Sequence, residues 1–128
     1  MAFEQWQVVV VPFPFTDRPV RRRRPALVVS RPEALGNPIG HSVLAMITSA
    51  GHGRWPLDVP VSDLGRAGLP APSVVRMKLF TLDDRLVERS VGRLCEGDAE
   101  SVVTVLGRLF GSGLPGTHDQ GASLVPCV

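Results

Sequence analysis

The stretch Arg21-Arg22-Arg23-Arg24-Pro25-Ala26-Leu27-Val28-Val29-Ser30 narrows the possible folds more than any other part of the chain. Proline disfavours helical backbone in the residue before it, so Arg24 is extended where the apolar strand over 25–30 begins. The segment before it, Val8-Val9-Val10-Val11-Pro12-Phe13-Pro14-Phe15-Thr16-Asp17, is also apolar and broken by proline. Residues 7–12 are β-branched and too short for a helix, so they read as a strand. The chain therefore opens as strand, long basic loop, strand.

A guanidinium stays charged at physiological pH and presents a planar fork of donors that fits a phosphate. Arginine runs also serve as solvated loops that keep a chain soluble, and the run alone does not choose between the two. The charge distribution favours the first. Residues 1–31 hold six arginines (18, 21–24 and 31) against Glu4 and Asp17, a surplus of four in a chain whose net charge is +2. The rest is net negative. A concentrated positive face on a near-neutral protein suits a polyanion, with Arg21, Arg22, Arg23 and Arg24 as candidate phosphate contacts.

With 128 residues, 44% of them hydrophobic, the chain fits one globular domain. It has no apolar run of about 18 residues and no signal-peptide pattern at its start, so a cytoplasmic protein without a membrane segment is expected. Cys95 and Cys127 stand alone, and His41, His52 and His118 form no ligand cluster. Neither a disulfide framework nor a metal or cofactor is expected.

Further along, residues 31–40 are loop punctuation. His41–Thr48 is a strand apolar on both faces and therefore central. Residues 49–56 form a glycine-bearing loop, 57–61 a short strand, and 62–64 the start of a helical turn. Ser73–Leu82 alternates, which puts Arg76 and Lys78 on one face. Residues 86–94 are a further strand. Glu96–Phe110 is the one strong helix, with Val102, Val105, Leu106 and Leu109 at helical spacing, acids near its start and Gly111 as its stop. The Gly-, Ser- and Pro-rich segment 111–128 reads as a loosely attached tail beyond a domain over 1–110. Five or six short strands and a C-terminal helix make a mainly β (α+β) domain, a small antiparallel barrel.

Four segments together resemble the MazF/PemK family of toxin–antitoxin ribonucleases: Val11-Pro12-Phe13-Pro14-Phe15-Thr16-Asp17, Arg23-Arg24-Pro25-Ala26-Leu27-Val28-Val29-Ser30, Met46-Ile47-Thr48-Ser49 and Ser73-Val74-Val75-Arg76. Their order and spacing match from residue 6 to about 110. The resemblance implies an SH3-like barrel and a homodimer that cleaves single-stranded RNA without a metal or cofactor. It also implies a cognate antitoxin, with operator DNA bound only through that partner. The family's catalytic positions fall on Arg24 and Thr48, and a further arginine that is catalytic or RNA-binding in some members falls on Arg76. Two departures stand out. Many members begin with Gly and an acid where this chain has Trp6-Gln7. Some carry an acid two residues after the later arginine, where this chain has Lys78, so a mechanism using that acid is closed to it.

Metal-free RNA cleavage uses the adjacent 2′-hydroxyl as nucleophile. Arg24 suits stabilisation of the phosphorane, and Thr48, otherwise an ordinary strand residue, can donate to a phosphate oxygen. Gly51-His52-Gly53 places a histidine close in sequence to Thr48, on a flexible loop. It reads first as a solvated loop residue and second as a proton shuttle. Trp55 can stack on an unpaired base, plug the barrel or meet a second subunit. Phe13 and Phe15 read as packing residues. Two other functions compete with RNA cleavage. One is a non-catalytic inhibitor like the CcdB gyrase poisons, which rely on a tryptophan near the C-terminus where this chain ends Val125-Pro126-Cys127-Val128. The other is a degenerate member that only binds nucleic acid.

Overall fold

The structure is a computed structural model that describes residues 2–13 and 22–111. Six strands, β1 (Gln7–Phe13), β2 (Arg22–Val28), β3 (His41–Ser49), β4 (Val59–Pro60), β5 (Ser73–Asp83) and β6 (Arg89–Arg93), form one antiparallel sheet in the order β4-β5-β3-β2-β1-β6. The sheet curls into a half-barrel. Its central strand is β3, between β5 and β2, as its double-sided apolar sequence requires.

Side chains alternate across the sheet, and each face buries its own cluster. Val8, Leu27, Ala45, Ile47, Val59 and Val75 turn inward with Val102 of the C-terminal helix α3 (Glu96–Phe110). Val9, Val11, Ala26, Val28, Leu44 and Met46 point to the opposite face, where Phe3, Phe13 and Phe80 cover them. The first half of α3 carries the packing. Ala99 and Val102 are buried, while Leu109 and Phe110 are exposed. Its first turn is tied down by Asp98, whose carboxylate accepts hydrogen bonds from Ser62 N–H and Ser62 Oγ at 2.8 Å each. Burial alone would raise the Asp98 pKa, but these bonds outweigh it and hold the group below its ordinary range. Gly111 ends the helix with φ +81.

Several boundaries differ from the sequence reading. β2 starts at Arg22 rather than Pro25, because Phe13 and Pro12 of β1 pair with Arg22 and Arg23. The prolines are tolerated where a strand has one neighbour only. Pairing of β2 with β3 begins at Ala26, and pairing of β1 with β6 stops at Val10, so Pro25 and Pro12 lie just beyond. β4 is only two residues long, β6 is confined to 89–93, and a short helix α1 (Asn37–Ile39) lies within the loop over 31–40. The helical turn after the fourth strand is α2 (Leu64–Ala67), one residue after its cap Asp63, which accepts from Arg66 N–H. The tail over 112–128, with Cys127 and His118, lies outside the described residues, as do Arg21 and Phe15.

Helix α2 packs its backbone against β6. A Cβ at Gly92 would meet the backbone of Arg66 and Ala67, and one at Gly68 (φ +71) the backbone of Val91. Neither contact is a flexible side-chain tip. Gly92→Ala is therefore expected to destabilise the fold by about 1–3 kcal/mol, the usual cost of forcing an extra carbon into a packed interior. A melting temperature equal to wild type would show that α2 can slide off the sheet. Among the described residues no helix is long and apolar enough to cross a membrane.

Candidate active site

The ends of β1 and β3 and the starts of β2 and β5 meet around a cleft of ≈ 170 Å³, lined by Arg24, Thr48, His52, Trp55, Arg76 and Lys78 above Phe13, Met46 and Ile47. Arg24 shares strand parity with Ala26 and Val28, and Thr48 with Leu44 and Met46. The site thus continues the sheet face opposite α3. A larger depression of ≈ 550 Å³ beside α3 sets Arg66 and Arg93 against Glu96 and Glu100, so its charge is balanced. Among the described residues, the smaller cleft is lined by three cations and no carboxylate.

A bulge shapes this cleft. Ala45 pairs with Leu79 and Ile47 with Val75, so Arg76, Met77 and Lys78 stand opposite Met46 alone. Extra residues in one strand bend it and re-aim its side chains. Arg76 turns inward and is 8% exposed. Lys78 stays outside, with Nζ 5.2 Å from the Phe13 ring centroid.

The buried guanidinium of Arg76 is neutralised by a residue the sequence reading passed over. Arg76 Nε donates to Asp58 Oδ1 at 3.2 Å and Nη2 to Asp58 Oδ2 at 3.0 Å. Nη2 also reaches Gly53 O at 3.3 Å, and Arg76 Cζ sits 5.0 Å from the Trp55 ring centroid. Trp55 N–H donates to Asp58 Oδ2 at 3.0 Å. Burial would raise the Asp58 pKa, yet the Arg76 hydrogen bond, with that from Trp55 and the Arg76 charge, leaves it lowered. The turn before Asp58 is strained. Leu57 has φ +67, a region that costs an L residue about 1–2 kcal/mol. The signal for Asp58 lay in Arg76 itself, because an arginine facing the interior of an apolar strand requires an acid nearby.

His52 stands over the strand end. Its Nδ1 lies 3.5 Å from Thr48 Oγ1, and its backbone N–H donates to Ser49 O at 3.1 Å. Trp55 is 45% exposed, which leaves its ring accessible at the cleft edge. The arginine run is split. Arg22 and Arg23 line a separate groove with Arg85 and Glu88, and Arg23 Nε bonds Glu88 Oε1 at 2.8 Å. Only Arg24 of the described part reaches the cleft. Among the described residues no three His, Cys, Asp or Glu side chains gather to hold a metal.

Residues 4–110 match the family model described as PemK-like, MazF-like toxin of type II toxin-antitoxin system. No curated protein matches the sequence. Among solved structures, MazE-MazF (Form-III) from Deinococcus radiodurans superposes with a TM-score of 0.71 at 22% identity, over 88% of this chain and 100% of that one. Mycobacterium tuberculosis toxin MazF-mt6 gives 0.64 at 23%, over 81% and 95%. An endoribonuclease in complex with its cognate antitoxin from Mycobacterial species gives 0.65 at 20%, over 89% and 98%. At these identities the superpositions establish the shared fold.

Proposed function

This chain belongs to the PemK-like, MazF-like toxins of type II toxin–antitoxin systems, and from that premise we propose that it is a metal-independent endoribonuclease acting on single-stranded RNA. The observation that carries the reading is the meeting of Arg24 and Thr48, 24 positions apart in sequence, in one cationic cleft. Arg24 offers a fork to the phosphate, and Thr48 a hydroxyl. Internal attack by a 2′-hydroxyl builds extra negative charge on the phosphorane, and preorganised donors stabilise it most effectively where water is partly excluded. Lys78 adds charge at the rim, and Trp55 offers a face for an unpaired base, a contact worth about 1–3 kcal/mol. Arg76 has two of its nitrogens committed to Asp58 and Gly53, so we assign it to holding the loop. A homodimer, a cytoplasmic setting and control by a cognate antitoxin complete the proposal.

The test is incubation with a long single-stranded RNA in EDTA. The expected products carry a 2′,3′-cyclic phosphate and a 5′-hydroxyl, and a 2′-O-methyl at the cut site abolishes cutting. Cleavage of the methylated strand would rule out internal attack. An intact RNA would leave a gyrase-directed or purely nucleic-acid-binding protein as the reading.

A further inference from the structure

Removing the 2′-hydroxyl proton requires a group able to accept it near the working pH. Of the described residues that line the cleft, Arg24, Arg76 and Lys78 are cations, Thr48 is a neutral hydroxyl, and Phe13, Met46, Ile47 and Trp55 do not titrate. Asp58 is spent behind the wall, its oxygens accepting from Arg76 and from Trp55 N–H. His52 remains. Its loop is fastened at several points: Arg76 to Asp58, Arg76 to Gly53 O, and the Trp55 ring beside the Arg76 guanidinium.

We propose that His52 accepts the 2′-hydroxyl proton in RNA cleavage and that the Arg76–Asp58 pair, acting through Gly53 and Trp55, positions it. The proposal rests on the endoribonuclease reading. When His52 Nδ1–H points at Thr48 Oγ1, 3.5 Å away, Nε2 keeps a free lone pair and the Thr48 hydroxyl proton remains available to a phosphate oxygen. In the step, Nε2 takes the proton from O2′, and the O2′ electron pair forms the O2′–P bond. The P–O5′ bond then breaks with its pair on O5′. O5′ takes a proton from water, and the hydroxide left behind recovers the proton from the imidazolium. No oxidation or reduction occurs, and His52 returns to its neutral form.

Among the described residues, the charged groups around His52 are Arg24 from β2, Arg76 and Lys78 from β5, and Arg54 and Asp58 on its own loop. Arginine, lysine and carboxylate side chains ordinarily titrate outside pH 5–8, where histidine changes charge. An acid limb in that window therefore reports on the histidine.

Single-turnover cleavage of a mixed-sequence single-stranded RNA in EDTA, from pH 5 to 9, tests the assignment on the full chain. His52→Asn is expected to lose about 10²–10⁴-fold in rate, the usual contribution of a positioned base, and to lose the acid limb. RNA affinity stays within about 2-fold, because this proton is transferred only in the transition state. His52→Gly on this exposed loop is expected to regain part of the rate when imidazole is added. Asp58→Asn, and independently Arg76→Lys, are expected to lower kcat with little change in KM, and neither adds further loss to His52→Asn. Full additivity would make the pair merely structural and overturn its positioning role. His52→Asn cutting near the wild-type rate with its acid limb intact would overturn the base assignment and leave the ribonuclease standing. A wild-type chain that cuts nothing would take both down.

Discussion

Arg24→Lys is expected to lose about 10²–10³-fold in kcat while melting at the wild-type temperature, because one preorganised donor at a developing oxyanion is worth about 3–4 kcal/mol. The substitution keeps the charge and removes the geometry. Lysine is a compact point charge on a flexible stem, whereas the guanidinium is a rigid fork that grips two oxygens at once. In this chain the fork starts from a fixed backbone: Arg24 pairs with Val11 inside the sheet and precedes Pro25. Arg23→Lys is the internal control. Arg23 faces Glu88 in the other groove, so its replacement should leave kcat unchanged, and because lysine keeps the charge the salt dependence of binding should not move either. A well-folded Arg24→Lys protein that cuts normally would show that Arg24 does not stabilise the phosphorane. Equal losses at both positions would mean that the place of Arg24 in the cleft gives its fork no special role.

Asp58→Ala is expected to cost about 3–5 kcal/mol of folding stability, since it leaves the Arg76 guanidinium buried without its counter-charge. The side chains of Arg76 and Asp58 are 9% and 14% exposed, so water cannot replace the lost partner. For a domain of this size each kcal/mol shifts the melting temperature by about 4–8 °C. Replacing both members, Arg76→Met with Asp58→Leu, should recover most of the loss, because well-packed apolar substitutes for a buried pair are often neutral. The pH dependence follows from the lowered Asp58 pKa. The carboxylate's contribution is fully present above the unfolded-state pKa and fades as pH falls through the folded-state value. The wild type should therefore lose stability on acidification in a limb that Asp58→Ala lacks. Urea titrations at pH 7 and pH 3 measure this directly. An Asp58→Ala protein as stable as wild type at pH 7 would mean that Arg76 swings out to solvent.

Much of the architecture is written in short-range pattern. The double-sided apolar run 41–48 reads as the central strand, and β3 occupies that place. The helix over Glu96–Phe110 is bounded by acids at its start and Gly111 at its end, and α3 spans those residues. Even so, its apolar spacing gave no warning that Leu109 would be exposed, since periodicity marks a face and not where the sheet beneath it stops. The arginine run looked like a single phosphate-binding feature. Strand pairing from Phe13 to Arg22 drew three of its arginines into β2, and that divided the described part between two grooves.

The sequence by itself determined where the backbone is extended, Arg24 before its proline included, and which residues are apolar on both faces. These depend on dihedral limits and on periodicities of two and 3.6 residues, which neighbours in the chain settle among themselves. Only the tertiary structure decided that Arg76 is a buried anchor rather than an open cation, that Asp58 is its partner, and that His52 stands over Thr48. The first two depend on how distant segments meet: Arg76 stands in the stretch of β5 opposite Met46 and reaches an acid 18 positions earlier, while the third depends on how the loop after β3 folds back. A one-residue change of pairing would send the same side chains to the other face, and no local pattern in the chain specifies it.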